Sequence, residues 1–469
     1  MATRHIAIIG AGPGGYVAAL RARQLGLDVT LIEREKIGGV CLNWGCVPTK
    51  TLLRTAEVLE IARRAGEFGV KVSGVELDWP AALARKEQVT AQLVGGVGVL
   101  LRKAGVEVIQ GEAHFTGPWS LIVRSPEGER SLRPDRIIIA AGSSPITLPI
   151  PGLDLPQVLD SKEALDLPAL PRRMLIIGGG AIGVEFACLF HACGVEVTVV
   201  ELLSRLVPNM DHDIGEGLGW SLNESGVRVH TSSRVVSIEP APDDSVTCHV
   251  QGLDSEFEVT VDRVLQAVGR RPNVEQLGLE VAGIHHSPKG IAVNERMETN
   301  VPGIYAIGDV VGGSMLAHVA MRQGVVAAEN AAGGDTLMNY RAVPACIFSL
   351  PEAATVGMSE EGARQAGHEV RIGKFALVNN GKAVAAGDVE GFVKVVADAT
   401  TDELLGLHIV GPHASDLILE GTLALELEAT LKELDSTIHP HPTLGESIPE
   451  AALAAHGLAL HLPAKARGG

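Results

Sequence analysis

The sequence is poor in aromatic residues, in cysteine and in positive charge. Only 3% of its 469 residues are aromatic, so a planar ligand would be held mainly by backbone and aliphatic contacts. It has 39 Lys and Arg against 56 Asp and Glu, a formal net charge of −17, which disfavours binding to nucleic acid or to anionic membranes. No apolar run is long enough to cross a bilayer, and residues 1–10 lack the charged head and apolar core of a signal peptide. Since six cysteines in so long a chain do not suggest a disulfide scaffold, we predict a cytoplasmic protein.

The residues that are abundant indicate an enzyme of the α/β class. Apolar residues make up 46% of the chain and 55 residues are glycine, which is typical of a folded α/β enzyme rather than of a disordered or fibrous chain. A chain of 469 residues exceeds what one hydrophobic core usually supports. We therefore expect about two to four domains.

A strand–turn–helix–strand pattern occurs twice in the chain. The first copy has a strand at His5–Ile9, the sequence GAGPGG at residues 10–15, a helix to about Gln24 and a strand at Asp28–Glu33. The second copy has a strand at residues 175–177, the sequence GGGAIG at residues 178–183, a helix and a strand that ends at Glu201. The first glycine and the final acidic residue are equally far apart in both copies, and a repeat of this length is hard to obtain by chance.

Each copy carries the GxGxxG pattern of a dinucleotide-binding site. The first glycine permits a tight turn, the second lets the backbone approach a pyrophosphate, and the third allows the helix to pack closely on the strand. The pyrophosphate then lies at the positive N-terminus of the helix, and the acidic residue accepts hydrogen bonds from ribose hydroxyls. The predicted ligands are Gly10, Gly12, Gly15 and Glu33 in the first copy, and Gly178, Gly180, Gly183 and Glu201 in the second.

The second copy is predicted to prefer NAD over NADP. Glu201 would repel the 2′-phosphate of NADP, and the residues after it are Leu202 and Leu203 rather than arginine. Arg205 lies nearby in sequence, which weakens the prediction slightly. The first copy stands beside a cysteine pair and is therefore predicted to hold a flavin.

Two cysteine pairs share the CxxxxC spacing, but we predict different roles for them. Cys188 and Cys193 fall in the helix predicted after the second glycine turn. Residues five apart on a regular helix have Cα atoms roughly 8–9 Å apart, and a disulfide requires less than about 7 Å. We therefore interpret this pair as packing residues.

Cys41 and Cys46 lie instead in a segment that can bend. Asn43, Gly45 and Pro48 all disfavour a regular helix there, so the two sulfurs can approach each other. A helix predicted to begin in this segment would lower a thiol pKa through its N-terminal dipole. The pattern favours a redox-active pair over two unrelated buried cysteines.

The sequence CLNWGCVPTK, residues 41–50, resembles the redox-disulfide motif of the class I pyridine nucleotide–disulfide oxidoreductases. Further motifs resemble that family's second flavin segment (GIYAIGDV, residues 303–310), the end of its NAD domain (GRRPN, residues 269–273), its C-terminal active-site segment (HPHPTLGE, residues 439–446) and its dimerisation domain (GFVKVVAD and LGLHIVGPHASDLI). The resemblance therefore covers nearly the whole chain. It implies an α/β fold with two Rossmann-like dinucleotide-binding domains and a C-terminal α+β dimerisation domain.

The resemblance also implies FAD and NAD as cofactors, and a substrate class. Within the family, the chain is most similar to members that oxidise dihydrolipoamide with NAD, because of Glu201, the MLAH sequence at residues 315–318 and the HxHPT spacing. It lacks the arginines that follow the second glycine motif in glutathione reductases. It also lacks the C-terminal cysteine chemistry of mercuric reductases and large thioredoxin reductases, since its last cysteine is Cys346. One alternative that stays open is a reductase for another disulfide, or for a lipoyl group outside the 2-oxoacid dehydrogenases. A flavoprotein used only for binding or redox sensing is disfavoured, because the catalytic residues of the family are intact.

Roles for individual residues follow from the resemblance. The implied catalytic residues are Cys41, which the substrate attacks, Cys46, which faces the flavin, His441 as the base, Glu446 as its partner, and the pair Lys50 and Glu185. The implied FAD ligands are Gly10, Gly12, Gly14, Gly15, Glu33, Lys50, Gly142, Asp309 on the ribityl chain, Met315, Leu316, Ala317 and His318, and the implied NAD ligands are Gly178, Gly180, Ile182, Gly183, Glu201 and Gly269. We interpret His439 as structural and predict no metal site. Val40 and Ala141 depart from the family pattern near the flavin, which leaves the tuning of the flavin open.

Segments rich in proline and glycine suggest where domains meet. They lie at residues 144–156, which we interpret as a linker, and near residues 270–273 and 335–341. We expect residues 1–149 to bind FAD, 150–270 to bind NAD, 271–340 to complete the FAD site and 341–469 to form an interface. The tail, residues 463–469, is expected to be loose.

The last domain is predicted to hold the subunit contact. A helix is predicted at residues 414–430, with the acidic residues Asp416, Glu420, Glu426 and Glu428 toward one side. Its broad apolar face is expected to be buried against another subunit. The resemblance implies a homodimer that serves a lipoylated carrier protein or domain of a 2-oxoacid dehydrogenase or glycine cleavage-type system.

Overall fold

The first sheet carries the first glycine turn and is parallel throughout. The structure, a computed structural model, describes residues 4–253 and 255–463. The strand order is Ile304–Ala306, Arg136–Ile139, His5–Ile9, Asp28–Glu33 and Glu107–Gln110. Helices Pro13–Gln24, Gly39–Trp44, Cys46–Arg63, Trp79–Lys103 and Ala317–Ala331 accompany it, and an antiparallel sheet of Glu112–Gly117, Ser120–Ser125 and Gly128–Leu132 packs on its other face. Strand His5–Ile9 is apolar on both faces because Ile6 and Ile8 pack toward the helices and Ala7 and Ile9 toward the antiparallel sheet.

The second sheet repeats this arrangement. Its strand order is Arg228–His230, Glu196–Val200, Arg173–Ile177, Arg263–Gln266 and Val158–Leu159, again all parallel. Its helices are Ser161–Leu165, Ala181–Ala192 and His212–Ser225, and the antiparallel strands are Arg234–Ala241, Ser245–Gln251 and Glu256–Val261. In both units, one strand precedes the glycine turn and its helix and another strand follows them, and these two strands pair in parallel. The predicted internal repeat of two Rossmann-like units is confirmed.

Two of the segments predicted to lie where domains meet, residues 144–156 and 270–273, contact each other. Ser143–Pro145 pairs antiparallel with Arg270–Pro272, and Ser144 faces Arg271. The interpretation of residues 144–156 as a plain linker is therefore wrong at its start, because the backbone there finds its hydrogen bonds in the strand that leaves the second unit. Residues 335–341 contain no strand or helix.

The C-terminal domain is built on an antiparallel sheet. Its strand order is Ala345–Ile347, Ala353–Gly357, Leu404–Val410, Phe392–Asp398 and Val370–Ala376. Its helices are Glu360–Gln365, Gly381–Ala386, Ala414–Glu426, Leu431–Ser436 and Ser447–Ala455. The remaining elements of the described chain are the strands His286–Ser287 and Gly290–Ile291 and the 3-10 helices Ala65–Phe68, Gly308–Val311, Leu377–Asn379 and Leu444–Glu446. The predicted α+β domain is confirmed.

The long helix of this domain ends earlier than predicted. It covers Ala414–Glu426 rather than reaching Thr430. Glu428 has a positive φ of 56°, which a helix cannot accommodate, and Thr430 caps the next helix in a capping box with Glu433. Local capping chemistry therefore outweighs the run of helix-forming residues.

The same helix presents one apolar face inward and another outward. Ile418 and Leu425 are buried in the core of the domain, whereas Leu419, Leu423 and Leu427 are 59%, 62% and 69% exposed in the single chain. These three residues follow one another at a spacing of four and form a stripe. An exposed leucine stripe of this kind is typical of a surface that a partner covers.

A buried ion cluster joins the second unit to the C-terminal domain. The ammonium of Lys394 is 2% exposed and lies 2.9 Å from Asp211, which precedes helix His212–Ser225, and 3.0 Å from Glu360. Removing one member of such a cluster leaves an uncompensated buried charge, so the cluster fixes the position of the second unit against the C-terminal sheet.

Among the described residues, no helix combines the length and the apolar character needed to cross a membrane. The tail predicted to be loose lies outside the described residues except for Pro463.

Candidate active site

The first glycine turn is crowded toward the protein and open toward a ligand. Gly10 has a φ of +101°, and a Cβ there would lie 2.2 Å from the carbonyl oxygen of Ala140. A Cβ on Gly15 would lie 1.9 Å from the carbonyl oxygen of Gly10, whereas one on Gly12 would meet no atom within 4 Å. Since Gly12 precedes the first turn of helix Pro13–Gln24, a phosphate can approach the backbone there.

The second glycine turn has the same clearances. A Cβ on Gly178 would lie 2.5 Å from the carbonyl oxygen of Ala267, and one on Gly183 would lie 1.9 Å from that of Gly178. Gly180, before helix Ala181–Ala192, is open. Both turns therefore fit a dinucleotide pyrophosphate.

The predicted ribose ligands Glu33 and Glu201 are held alike. In each, one carboxylate oxygen accepts a hydrogen bond from a backbone N–H of the glycine turn, at 2.7 Å for Glu33 and 2.5 Å for Glu201. The other oxygen accepts from the N–H two residues further on, at 2.7 Å in both cases. Each oxygen keeps acceptor capacity for a ribose hydroxyl. Arg205, the cation near Glu201 in sequence, donates hydrogen bonds to both carboxylate oxygens of Glu361, at 3.2 and 2.9 Å.

The redox segment bends at Gly45. Helix Gly39–Trp44 ends there and helix Cys46–Arg63 begins, with Gly45 at φ −141° and ψ −110°. Pro48 lies in the first turn of the second helix, where its missing N–H leaves no intrahelical bond unmade. The bend lets the sulfurs of Cys41 and Cys46 hydrogen-bond to each other, and both residues carry free thiols.

The two thiols have opposite acidities. The hydrogen bond between them, burial and the charge of a Cys46 thiolate all raise the pKa of Cys41 far above its usual range. The same hydrogen bond lowers the pKa of Cys46 to about 7, against the effect of burial and with help from the ammonium of Lys50. Cys46 is therefore the sulfur that ionises first, and Cys41 keeps its proton.

The other CxxxxC pair has no such arrangement. Cys188 lies within helix Ala181–Ala192, but Cys193 is its C-cap residue and not inside the helix as predicted. Both are free thiols. Burial raises the pKa of Cys188 to about 12 and that of Cys193 to about 11, so neither is a reactive thiolate.

Lys50 and Glu185 join the two nucleotide-binding units. The Lys50 ammonium lies 2.8 Å from both carboxylate oxygens of Glu185, one helical turn after Cys46. Glu185 is buried, and it also accepts a 3.0 Å hydrogen bond from the backbone N–H of Phe348. The structure thus brings together the pair that the family resemblance implies.

One cavity contains most of the predicted flavin-site residues. Its lining includes Gly10, Gly12, Gly14, Glu33, Val40, Cys41, Cys46, Lys50, Ala141, Gly142, Ile182, Glu185, Asp309, Met315, Leu316 and Ala317. Gly15 lies behind the turn, where it packs against Gly10. His318 does not line the cavity, and its ring is instead hydrogen-bonded to the carbonyl oxygen of Pro344 at 2.8 Å. Of the predicted NAD ligands, Gly178, Gly180 and Gly183 belong to the second glycine turn, and Glu201 accepts a hydrogen bond from it. Ile182 lines the flavin cavity, and Gly269 lies where the chain leaves the second unit.

Sequence reasoning missed several residues that line this cavity. Ser143 and Arg270 form a hydrogen-bond chain to Asp309. Trp44 also lines the cavity, and the Lys162 ammonium lies 4.1 Å from the centre of its indole ring. Arg270 was noticed only as part of the motif GRRPN, and no local pattern could have paired it with Ser143, which is 127 residues away.

His441 and Glu446 lie outside the cavity that holds the cysteines. The ring Nδ1 of His441 is 2.8 Å from Glu446 Oε1, and the His441 side chain is 79% exposed. Burial alone would raise the pKa of Glu446, but hydrogen bonds from the Thr443 N–H and from His441 lower it. The carboxylate thus holds the ring so that its other nitrogen faces outward.

His439 has a carboxylate partner of its own. Its ring nitrogens contact Glu420 at 2.9 Å and the carbonyl oxygen of Thr437 at 2.8 Å, and its side chain is 9% exposed. No local pattern pairs His439 with Glu420, because Glu420 lies on helix Ala414–Glu426, 19 residues earlier in the chain. With both nitrogens engaged, His439 is held in place between these groups.

Comparisons with known proteins match most of the chain to one family. Residues 4–324 match the family model described as pyridine nucleotide-disulphide oxidoreductase, and residues 343–452 match its dimerisation domain. Proteins named dihydrolipoyl dehydrogenase from Thermus scotoductus and Bacillus subtilis are 45% and 42% identical to the chain; the alignments cover 98% and 97% of it and 99% of each relative. A crystal structure of LpdA from Mycobacterium tuberculosis is similar with a TM-score of 0.88 at 31% identity, over 96% of this chain and 99% of the other. The flavoprotein disulfide reductase RclA from Escherichia coli gives a TM-score of 0.85 at 29% identity over the same shares.

Proposed function

Because the chain belongs to the pyridine nucleotide-disulphide oxidoreductases, we propose that it oxidises protein-bound dihydrolipoyl groups to lipoyl groups with NAD+ as acceptor. FAD and a redox disulfide between Cys41 and Cys46 carry the electrons. The observation that supports this most is that one cavity is lined by the first glycine turn, Glu33, Cys46 and Lys50, and that the charge of Lys50 helps to lower the pKa of Cys46. The relatives named dihydrolipoyl dehydrogenase, which match the chain over nearly its full length, support the substrate.

The first half of the reaction is thiol–disulfide exchange. His441 removes the proton of a substrate thiol, and Glu446 holds the ring and stabilises its positive charge. The substrate thiolate attacks Cys41, the Cys41–Cys46 bond breaks, and its electron pair leaves on Cys46 as a thiolate. The second substrate thiol gives up its proton and attacks the mixed disulfide at the substrate sulfur. The bond from that sulfur to Cys41 breaks, Cys41 takes up the proton and leaves as a thiol, and the oxidised lipoyl group is released.

Residues around the cavity hold the charges that this exchange creates. Lys50 lies close enough to Cys46 to favour its thiolate, and Glu185 holds the ammonium in place. The N-terminus of helix Ala317–Ala331 opens into the cavity at Ala317 and favours negative charge there. Bound FAD supplies the two-electron chemistry between the dithiol and NAD+.

The chain forms a homodimer through its dimerisation domain. The leucine stripe of Leu419, Leu423 and Leu427 supports burial of the long helix in that contact. We further propose that the substrate is carried by a lipoylated protein or domain of a 2-oxoacid dehydrogenase or glycine cleavage-type system, and that the protein acts in the cytoplasm. The division into domains at residues 149, 270 and 340 also stays a proposal.

A steady-state assay tests the proposed substrate. We expect NADH formation from dihydrolipoamide and from a dihydrolipoylated carrier protein, with kcat/KM at least about tenfold above that for glutathione disulfide with NADH in the reverse direction. The reason is that a site built for one thiol pair discriminates through its specific contacts. Preference for glutathione disulfide would contradict the proposal.

NAD+ is expected to be preferred over NADP+ by at least about tenfold in kcat/KM, since repulsion between Glu201 and a 2′-phosphate should exceed about 1.4 kcal/mol. In Glu201→Ala, we expect weaker use of NAD+ and a smaller gap between the two cofactors. The matched control is Glu196→Ala, which removes an exposed carboxylate from the start of the same strand and should leave the ratio unchanged. Equal kcat/KM values in the unmodified protein would refute this prediction.

A further inference from the structure

Arg270 is a cation that lines the proposed flavin cavity without a carboxylate beside it. Among residues 4–253 and 255–463, no Asp or Glu oxygen lies within 4 Å of its guanidinium. Its neighbour Arg271, in contrast, is exposed and paired with Glu275 at 3.0 Å. Burial lowers the pKa of Arg270, and the charges of Asp309, Asp160 and Cys46 oppose that effect. Burying a positive charge is costly unless a negative charge offsets it, so a more distant carboxylate must stabilise this half-buried guanidinium.

The Asp309 carboxylate stabilises the Arg270 guanidinium through the hydroxyl of Ser143. Arg270 Nε donates to Ser143 Oγ at 2.8 Å, and Ser143 Oγ donates to Asp309 Oδ2 at 2.5 Å. The direction of both bonds is determined, because a guanidinium can only donate and a carboxylate can only accept. Hydrogen bonds in such a chain polarise and strengthen one another. Ser143 is 5% exposed, so water competes little with either bond.

The guanidinium also fixes the backbone beside Asp309. Arg270 Nη2 donates to the carbonyl oxygen of Ser143 at 2.6 Å, on the short strand that pairs with Arg270–Pro272. In the described part of the chain, the side chain that donates a hydrogen bond to the Asp309 carboxylate is that of Ser143. The orientation of Asp309 therefore depends on a strand that follows directly from the second nucleotide-binding unit.

We propose that Arg270 is a positioning residue for the flavin: through Ser143 it holds the Asp309 carboxylate in the orientation that binds FAD. The inference rests on the proposed function, in which Asp309 binds the ribityl chain. FAD retention then depends on strand Arg270–Pro272, which leaves the NAD-binding unit, because its Arg270 supplies the positive charge that balances the Asp309 carboxylate.

The rate of FAD release from diluted holoenzyme, followed by the rise in flavin fluorescence, tests this role. Arg270→Gln is expected to release FAD about tenfold faster than the unmodified protein, and Arg271→Gln, which removes the neighbouring charge, at an unchanged rate. In an Asp309→Asn background, Arg270→Gln should add less than about twofold, because the charge that it compensates is gone. A merely structural role would accelerate release equally in both backgrounds, and that result would overturn the proposal.

A second pair of variants makes the test independent of the folding of Arg270→Gln. Ser143→Ala interrupts the hydroxyl bridge to Asp309. Ser144→Ala instead removes a hydroxyl that donates to Asn273, the residue after strand Arg270–Pro272, at 2.7 Å. Only Ser143→Ala should speed FAD release, and the double variant Arg270→Gln/Ser143→Ala should be no faster than the faster single variant. Equal rates for the two serine variants, or additive effects in the double variant, would overturn the proposal. If the unmodified protein retained no FAD, the proposed function itself would fail, which is a distinguishable result.

Discussion

Replacing Cys41 by Ser is expected to abolish dihydrolipoamide oxidation, with a loss of at least about 10³-fold in kcat, while the flavin gains a permanent long-wavelength absorbance band. The loss follows because the substrate thiolate no longer has a sulfur to attack. The band follows because Cys46 can no longer form the disulfide, and the ammonium of Lys50 still favours its thiolate beside the flavin. Since the pKa of Cys46 is lowered to about 7 while Cys41 is present, partial reduction of the unmodified protein should produce the band as the pH rises through about 7.

Two further cysteine variants complete this experiment. Cys46→Ser should lose both activity and the band, because the thiolate that faces the flavin is gone. Cys193→Ser is the matched control: it belongs to the other CxxxxC pair, and burial raises the pKa of its thiol to about 11. Its activity and flavin spectrum should stay unchanged. A flavin spectrum that is the same in all three variants would refute the redox-disulfide proposal.

The second large effect is expected from mixing two inactive subunits. His441 and Glu446 do not line the cavity that contains Cys41 and Cys46, and the His441 ring is 79% exposed in the single chain. We predict that the base of each active site comes from the second copy of the chain. Cys41→Ser and His441→Ala homodimers should each be nearly inactive, but their co-expression should restore roughly a quarter of normal activity.

The expected fraction follows from the symmetry of the dimer. Random mixing makes half of the dimers heterodimers, and each heterodimer has one site with both substitutions and one intact site. If each subunit used its own histidine, both sites in every heterodimer would be damaged and no activity would return. Size-exclusion chromatography with mass measurement gives the control, because a fully active monomer would also contradict the prediction.

Local features of this site could be predicted because they depend on residues close together in sequence. The glycine turns require a backbone approach and a φ that only glycine accepts, as at Gly10 and Gly178, and both are visible as a spaced motif. A bend between Cys41 and Cys46 is predicted because Asn43, Gly45 and Pro48 disfavour a regular helix, and the structure has it at Gly45. The helix that was predicted to reach Thr430 shows the limit of this reasoning, because Thr430 forms the cap of the next helix.

Other features depend on contacts that no local pattern records. His439 was interpreted as structural without its partner Glu420, and the buried Lys394 was seen only as part of a family motif, without Asp211. Each partner comes from a separate element of the fold. Their pairing depends on how sheets and helices pack, and a single sequence does not show that.

The motifs of the sequence predict two dinucleotide-binding units and a cysteine pair that can approach each other, and the family resemblance adds a C-terminal domain with a histidine–glutamate pair. Short motifs encode these features, because turns and helix starts depend on immediate neighbours in the sequence. The lowered pKa of Cys46 and the ion pair of Lys50 with Glu185, 135 residues away, depend on tertiary packing. The sequence therefore implied them only through the family resemblance. Only the tertiary structure decided that Arg270 reaches Asp309 through Ser143. Those results depend on burial and on hydrogen bonds of a few ångströms, and only the packing of distant segments creates them.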